Sequence, residues 1–378
     1  MKVALFDWAH GGHHAIYLRR FAEAVAGHAD VVVAASDATV EQVAGAPAET
    51  ISLGPSRPDI DGAGLRRADR RVLARELALL EDIERRAAPD HLLHVYADAV
   101  LPQLLVHRRF RMPVSVLLFY PRAHYPRAFG THLGRVERAK ANAKEFVVAA
   151  WRRRADANAV LALDEEAARR WSARRGAPAY WLPEPTVPRV DLPDRERKRS
   201  GCILYGALAE RKGIDLVAQA LTLEPTAMRL TIAGEAAEAF RPALERYVRE
   251  MVRSGVEVDL RARRQEEEKG LLALASAKCA LLPYPRHDGM SRVLVEACSV
   301  GTPVIVHDRG LLGHLVREHR IGRAVDCRDP SALREAILAL AGEGADTTAY
   351  DAALARFAAR FSEERFETAA IAPFRKRP

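Results

Sequence analysis

Asp288 and Glu296, with seven residues between them, stand in the stretch YPRHDGMSRVLVEACSVGTPVIV, residues 284–306. The pattern predicts a strand over 280–283, a loop, a helix over 292–300 stopped by Gly301, and a strand over 304–306. That is a βαβ unit with polar groups gathered at one edge. Ser291 suits the N-cap of the helix, and Gly289 leaves the backbone amides of the turn open to a ligand. Glu296 falls near mid-helix among Val293, Leu294, Val295, Ala297 and Cys298. A carboxylate among apolar neighbours costs free energy unless it accepts hydrogen bonds, so a hydroxyl-rich ligand is a reasonable partner for it.

Two further turns carry chemistry. In YGALAERKG, Gly206 ends a predicted strand, and Arg211 and Lys212 stand beside a helix that starts near Ile214. Cations beside the amides of a helix N-terminus make a cradle for a diphosphate, a reading that competes evenly with a solvated pair in a polar turn. In DWAHGGHHAIY, Gly11 and Gly12 would let an acceptor or a sugar phosphate lie against the backbone, with His10, His13 and His14 supplying hydrogen bonds. No G-x-G-x-x-G follows that strand, so a dinucleotide fingerprint is absent. The three histidines lack a carboxylate or Cys at ligand spacing, and PDIDG at 58–62 reads as a turn, so no metal site is expected.

The elements that must position these turns form two series of alternating strands and helices, interrupted at 183–200 by prolines and alternating charge. Two doubly wound parallel sheets facing each other across a cleft are expected, with ligands beyond the carboxyl ends of the strands. The expected boundaries are 1–185 for the first domain, 186–199 for a linker, 200–350 for the second domain, and 351–378 for a helical segment packing back on the first.

The bulk numbers exclude several classes. A chain of 378 residues with 49% hydrophobic and 29% charged residues is globular and long enough for two cores. No apolar run approaches the roughly 18 residues that span a bilayer, and the N-terminus reaches Asp7 and His10 too soon for a secretory signal, so a cytoplasmic address is expected. Cys202, Cys279, Cys298 and Cys327 are widely spaced and read as buried thiols. The net charge of +8 comes mostly from Arg, and Ala is abundant, a bias usual in GC-rich bacterial genomes. Its runs at 151–156, 194–200 and 261–264 lack interleaved stacking aromatics, so no nucleic-acid partner is expected, while a phosphate-bearing small molecule suits them. The predicted helix over 134–154 mixes Val147, Val148 and Trp151 with Arg and Lys. Its few aromatics favour an ordinary surface helix over peripheral membrane contact.

HDGMSRVLVEACSVGTPVIV resembles the segment of retaining GT-B glycosyltransferases, the family called glycosyl transferases group 1 (family 4-like), in which an acidic residue, seven residues and a Glu precede G-x-P-V-I. YGALAERKGIDLVAQAL resembles the same family's G-R-L-x-x-x-K-G-x-x-x-L turn, and TIAGE its next strand, in the family's order over most of 200–330. The resemblance implies a GT-B fold and transfer of a sugar from a nucleoside-diphosphate sugar, UDP- or GDP-linked among others, to an acceptor hydroxyl. It implies retention of configuration, no cofactor and no divalent metal, with the leaving phosphate oxygen helping to deprotonate the acceptor.

Carried onto this chain, the resemblance has Lys212 and Arg211 neutralise the diphosphate, and Asp288 and the amides of Gly289, Met290 and Ser291 meet the sugar. Glu296 would hold the ribose, with His287 and Gly206 also on the donor side. The first domain would take a small-molecule or glycan acceptor at His10, Gly11, Gly12, His13, Tyr120 and Arg122, with His124 facing the cleft beside Arg122. The chain departs from the family pattern at Asp288, where a Glu is usual, at Ala207, where a cation is usual, and at LLFYPRAHYPR, where the family's sugar-touching His is displaced. The rival readings are a nucleotide-sugar epimerase or hydrolase of the same fold, and a non-catalytic nucleotide-sugar-binding subunit.

Overall fold

A computed structural model of the chain describes residues 1–9, 14–57, 67–184, 199–263 and 266–375. His10, Gly11, Gly12 and His13, the PDIDG turn, and the expected linker up to residue 198 lie outside the described residues.

The first half runs β1 (Lys2–Asp7), α1 (His14–Ala26), β2 (Asp30–Ala35), α2 (Asp37–Gln42), β3 (Glu49–Ser52), α3 (Arg67–Ala87), β4 (His91–His94), α4 (Leu101–Val106), β5 (Val114–Leu118), α5 (Tyr125–Ala128), α6 (Arg135–Trp151), β6 (Ala157–Ala162), α7 (Glu165–Ser172) and β7 (Ala179–Trp181). The second runs β8 (Cys202–Tyr205), α8 (Ile214–Thr222), β9 (Met228–Ala233), α9 (Arg241–Arg253), β10 (Val256–Arg261), α10 (Glu267–Ser276), β11 (Cys279–Leu282), α11 (Arg292–Ser299), β12 (Val304–His307), α12 (Gly310–His319), β13 (Gly322–Val325), α13 (Pro330–Ala341), α14 (Asp351–Ala358) and α15 (Glu363–Ile371).

The chain folds into two compact units, one of residues 1–124, 133–185 and 362–378, the other of 125–132 and 186–361. The first holds a seven-stranded sheet in the order β3-β2-β1-β4-β5-β6-β7. All its pairings are parallel. Helices cover both faces of such a sheet, which is why Val3–Phe6 and Val31–Ala35 are continuous buried apolar runs rather than alternating ones. Helix α1 turns Leu18, Phe21, Ala22 and Val25 inward at helical spacing. Phe366 of α15 packs on Phe21 with ring centroids 5.6 Å apart, so the C-terminal helix completes this unit. Phe366→Ala is expected to lower stability by about 3–5 kcal/mol, the cost of a large cavity, read as a shifted denaturant midpoint.

The second unit holds a six-stranded sheet in the order β10-β9-β8-β11-β12-β13, also wholly parallel. Helix α11 ends as predicted at Gly301: the Thr302 N–H donates to the Ala297 carbonyl at 2.8 Å and the Gly301 N–H to the Cys298 carbonyl at 3.1 Å. Asp329 caps α13, accepting from the Ser331 and Ala332 amides ahead of Pro330 at the first helical position. The segment 125–132 joins this unit through Phe129, stacked on His314 at 4.3 Å, and through Thr131 Oγ1, which accepts from the Gly310 N–H at 2.9 Å. Helix α14 packs on α11.

Candidate active site

In a doubly wound sheet, the crevice where successive connections turn to opposite faces is the natural ligand site. In the second unit that point lies between β8 and β11, and in the first between β1 and β4.

Strands β8 and β11 pair at Cys202–Cys279 and Ile203–Ala280. Beyond the paired stretch, β8 runs into Gly206 and β11 into the Pro283–Ser291 loop. Gly206 has a φ of +103°, and a Cβ there would stand 3.3 Å from Lys212 Nζ and 3.4 Å from Val293 Cγ2. The absence of a side chain thus leaves room for the ammonium at the strand end. Lys212 closes a single 3-10 turn (Glu210–Lys212) before α8 and is only 5% exposed. Its Nζ donates to the Tyr284 hydroxyl at 2.8 Å and lies 4.3 Å from the centroid of that ring. The two adjacent cations of the motif therefore part: Lys212 is buried at the crevice and Arg211 is exposed.

Helix α11 supplies the acid. Glu296 is 6% exposed and its Oε1 accepts from Arg292 Nε at 2.8 Å, an i,i+4 pair within the helix. Arg292 reaches on through Nη2 to Glu267 Oε1 on α10, so one guanidinium bridges two carboxylates. Burial raises the Glu296 carboxyl above its usual range, while the Arg292 charge and hydrogen bond pull the other way. The apolar surroundings read from the sequence are real, but they leave out Arg292, which supplies one of the hydrogen bonds this carboxylate needs. Tyr205, at the end of β8, is pushed up to about 12 by burial, with the Glu296 charge adding to the effect.

The loop between β11 and α11 holds the remaining donor-side residues. His287 Nε2 lies 2.9 Å from the Met290 carbonyl and burial lowers its pKa, so the ring is neutral, donates through Nε2 and fixes the turn. The Asp288 carbonyl accepts from the Leu311 N–H at 2.9 Å, tying the loop to the start of α12. Gly289, Met290 and Ser291 are buried. Ser291 occupies the N-cap with an extended backbone, but its hydroxyl makes no capping bond, contrary to the sequence reading; the Leu294 N–H is met by the Ser291 carbonyl at 3.0 Å instead.

At the switch point of the first unit, Asp7 ends β1 and is 1% exposed. It accepts from the Ala9 N–H at 3.0 Å and holds His14 Nδ1 at 2.6 Å. The His14 ring packs against Tyr96 after β4, with centroids 4.8 Å apart, and Tyr96 packs on Phe119 at 4.6 Å. Asp98 accepts from the Phe119 and Tyr120 amides at 2.8 and 3.0 Å and pairs with Lys144, which also donates to the Tyr120 carbonyl at 3.1 Å. Tyr120 is thus held by its backbone with its side chain 39% exposed, and Arg122 is half-buried. His124 is 4% exposed, its Nε2 lying 3.1 Å from Asp164 Oδ2; the other oxygen of Asp164 caps α7 through the Ala167 N–H at 3.1 Å. That sets the His124 ring beside the carboxylate that caps α7, a proximity the sequence reading did not contain.

Sequence reasoning also missed Tyr284, Glu267, Tyr96 and the Asp7–His14 pair. Arg292 had a local signal, four residues before Glu296 on one helix face; Glu267 and Tyr284 had none, being distant in sequence. Among the described residues, His307, Asp308 and Asp326 have ligand atoms within 4.8 Å of one another, and His307 Nδ1 lies 3.2 Å from the Cys327 amide nitrogen and 3.4 Å from the Val325 carbonyl.

Residues 199–343, which contain this crevice, match the family described as Glycosyl transferases group 1. No curated protein matches the chain by sequence. Among solved structures, the chain is similar to sucrose-phosphate synthase from Thermosynechococcus elongatus, at 20% identity over 97% of this chain and 94% of that one, with a TM-score of 0.64. It is similar to Anabaena HepE in complex with UDP, at 14% identity over 97% of each chain, with a TM-score of 0.65. It is also similar to WaaG, a glycosyltransferase involved in lipopolysaccharide biosynthesis, at 15% identity over 98% of this chain and 97% of that one, with a TM-score of 0.61. At such identities the likeness is one of fold, and the fold is GT-B, with two Rossmann-like parallel sheets.

Proposed function

We propose that the protein is a glycosyltransferase that moves a sugar from a nucleoside diphosphate to an acceptor hydroxyl, with retention of anomeric configuration and without a divalent metal. The observation that carries this reading is the buried Lys212 ammonium at the β8–β11 switch point, beside Gly206 and within the segment that matches the glycosyltransferase family. Breaking the bond between sugar and diphosphate leaves negative charge on phosphate oxygens. A cation already in place, assisted by the amides that open α8, stabilises that charge without reorganising as the bond breaks. Arg211 is exposed and adds charge from the solvent side.

Glu296, oriented by Arg292, accepts from the ribose hydroxyls. Asp288 and the backbone of Gly289, Met290 and Ser291 meet the transferred sugar. The acceptor proton passes to the leaving phosphate oxygen, so no protein nucleophile is required. Tyr120, Arg122 and the Asp7-held His14 are the acceptor-side groups among the described residues. UDP-sugars are the first donors to test, because the HepE structures that share this fold hold UDP and UDP-glucose.

A thermal-shift screen with uridine, guanosine, adenosine and thymidine diphosphates tests the donor half, since a ligand that binds the folded state alone raises Tm in proportion to its affinity. One nucleotide is expected to stand out; a flat response to all four removes the reading. With the responding donor, product stereochemistry by NMR in the presence of EDTA tests retention and metal independence. Donor turnover without acceptor would favour an epimerase or hydrolase instead.

The raised pKa of Glu296 gives a pH signature. The ionised form accepts the ribose hydroxyls, so affinity is full above its folded pKa and falls as pH drops through that value. Calorimetric titrations from neutral into acidic pH should show nucleotide affinity weakening in the wild type. Glu296→Gln should bind more weakly throughout, with a flatter profile.

A further inference from the structure

Helix α10 has a second side. Towards the crevice it presents Glu267, paired with Arg292, and Gly270, where a Cβ would overlap the Tyr205 hydroxyl. On its other side a groove of about 530 Å³ runs between the helix and the outer strands β9 and β10. Strand alternation explains its chemistry: Met228, Leu230 and Ile232 of β9 face the core, while Arg229 and Thr231 face the opposite way, in register with Glu257 and Asp259 of β10. Arg229, Arg261, Arg263 and Lys269 line the groove with the hydroxyls of Ser200 and Thr231, and no lining side chain is acidic.

The carboxylates that meet these cations lie outside the lining. Glu257 is 3.7 Å from Arg229, Asp259 is 2.7 Å from Arg261, and Glu266 is 2.9 Å from Lys269. Arg229–Glu257 and Lys269–Glu266 are exposed pairs, which are weak in water and yield to a phosphate dianion whose oxygens several cations share. None of the lining residues belongs to the candidate active site.

We propose that this groove is a second anion site, taking a small soluble phosphate monoester, and that its occupant tunes nucleotide binding through α10. A phosphate bridging Lys269 of the helix to Arg229 and Arg261 of the sheet draws on the element that also carries Glu267, and Glu267 holds the guanidinium that orients Glu296. The binding part stands on the groove alone, whereas the coupling part rests on the donor reading above.

The test measures Tm of the full chain with inorganic phosphate and with glucose 6-phosphate, against chloride at matched ionic strength. The proteins compared are the wild type, Arg229→Ser/Lys269→Ser and Lys212→Met. Stabilisation by both anions is expected in the wild type and in Lys212→Met, and not in the double variant. With phosphate saturating, UDP affinity should shift by roughly fivefold or more in the wild type and not in the double variant. Stabilisation that persists in the double variant, or that vanishes in Lys212→Met alone, overturns the site; the latter would put the phosphate at Lys212. Binding only to phosphatidylglycerol vesicles, with no response to soluble phosphate, overturns it as well. If UDP fails to bind, the donor reading and the coupling fall, while the Tm comparison still decides the groove.

Discussion

Lys212→Met should lower turnover by on the order of a hundred- to a thousand-fold, the usual loss when one preorganised donor to developing negative charge is removed. Met keeps the stem and the approximate volume, so the packing around Gly206 and Val293 survives while the ammonium is lost. Because charge builds on the phosphate oxygens mainly as the bond breaks, kcat should fall more than donor affinity. The Tyr284 hydroxyl loses its partner at 2.8 Å, so Tyr284→Phe is the companion variant. It removes the hydrogen bond but leaves the cation and the ring face, and should cost far less than Lys212→Met. A near-normal rate in Lys212→Met would show that the diphosphate is neutralised elsewhere, with exposed Arg211 the first alternative.

The second large effect is expected at Arg292. Its guanidinium bridges Glu267 and Glu296, and both Arg292 and Glu296 are at least nine-tenths buried. Arg292→Ala leaves the Glu296 carboxylate in an apolar helix face without its compensating charge, a change that destabilises by roughly 3–5 kcal/mol. The acid would respond by taking up a proton at higher pH, because burial already raises its pKa. The variant should therefore show a lower denaturant midpoint and a UDP affinity that recovers only as pH increases. Arg292→Ala combined with Glu296→Gln should regain stability without regaining affinity, since the unpaired charge is gone but the ribose acceptor is weakened. A double variant no more stable than Arg292→Ala would show that the bridge to Glu267, rather than the charge on Glu296, is what matters.

The alternating pattern and the turn residues made the two parallel sheets legible, as they did the limits of α11 and the places of Gly206, Lys212 and Glu296. These signals are local: a strand end, a glycine, a helix start and a helix stop all lie within a few residues of one another. Partners distant in sequence were not legible. Tyr284 meets Lys212 across 72 positions, and Glu267 meets Arg292 across 25. Only the fold brings such residues together, and no spacing rule reaches that far. The same limit applies to the proximity of His124 to Asp164, which depends on where α7 begins. Arg292 is a different case, because its i,i+4 spacing from Glu296 was in the sequence and the reading left it out. The domain assignment of the 125–132 segment had no sequence signal either, since it leaves its neighbours in the chain to pack on the other unit.

The central claim is that a nucleoside diphosphate binds at the carboxyl ends of β8 and β11, its phosphates at Lys212 and its ribose at Glu296. A crystal structure of the protein soaked with UDP, or with whichever diphosphate raises Tm, tests this most directly. The account predicts phosphate oxygens within hydrogen-bond reach of Lys212 Nζ, close to Gly206, and both ribose hydroxyls on the Glu296 carboxylate. Nucleotide density at another place, or a ribose turned away from Glu296 while Arg292 holds that side chain unchanged, would contradict it.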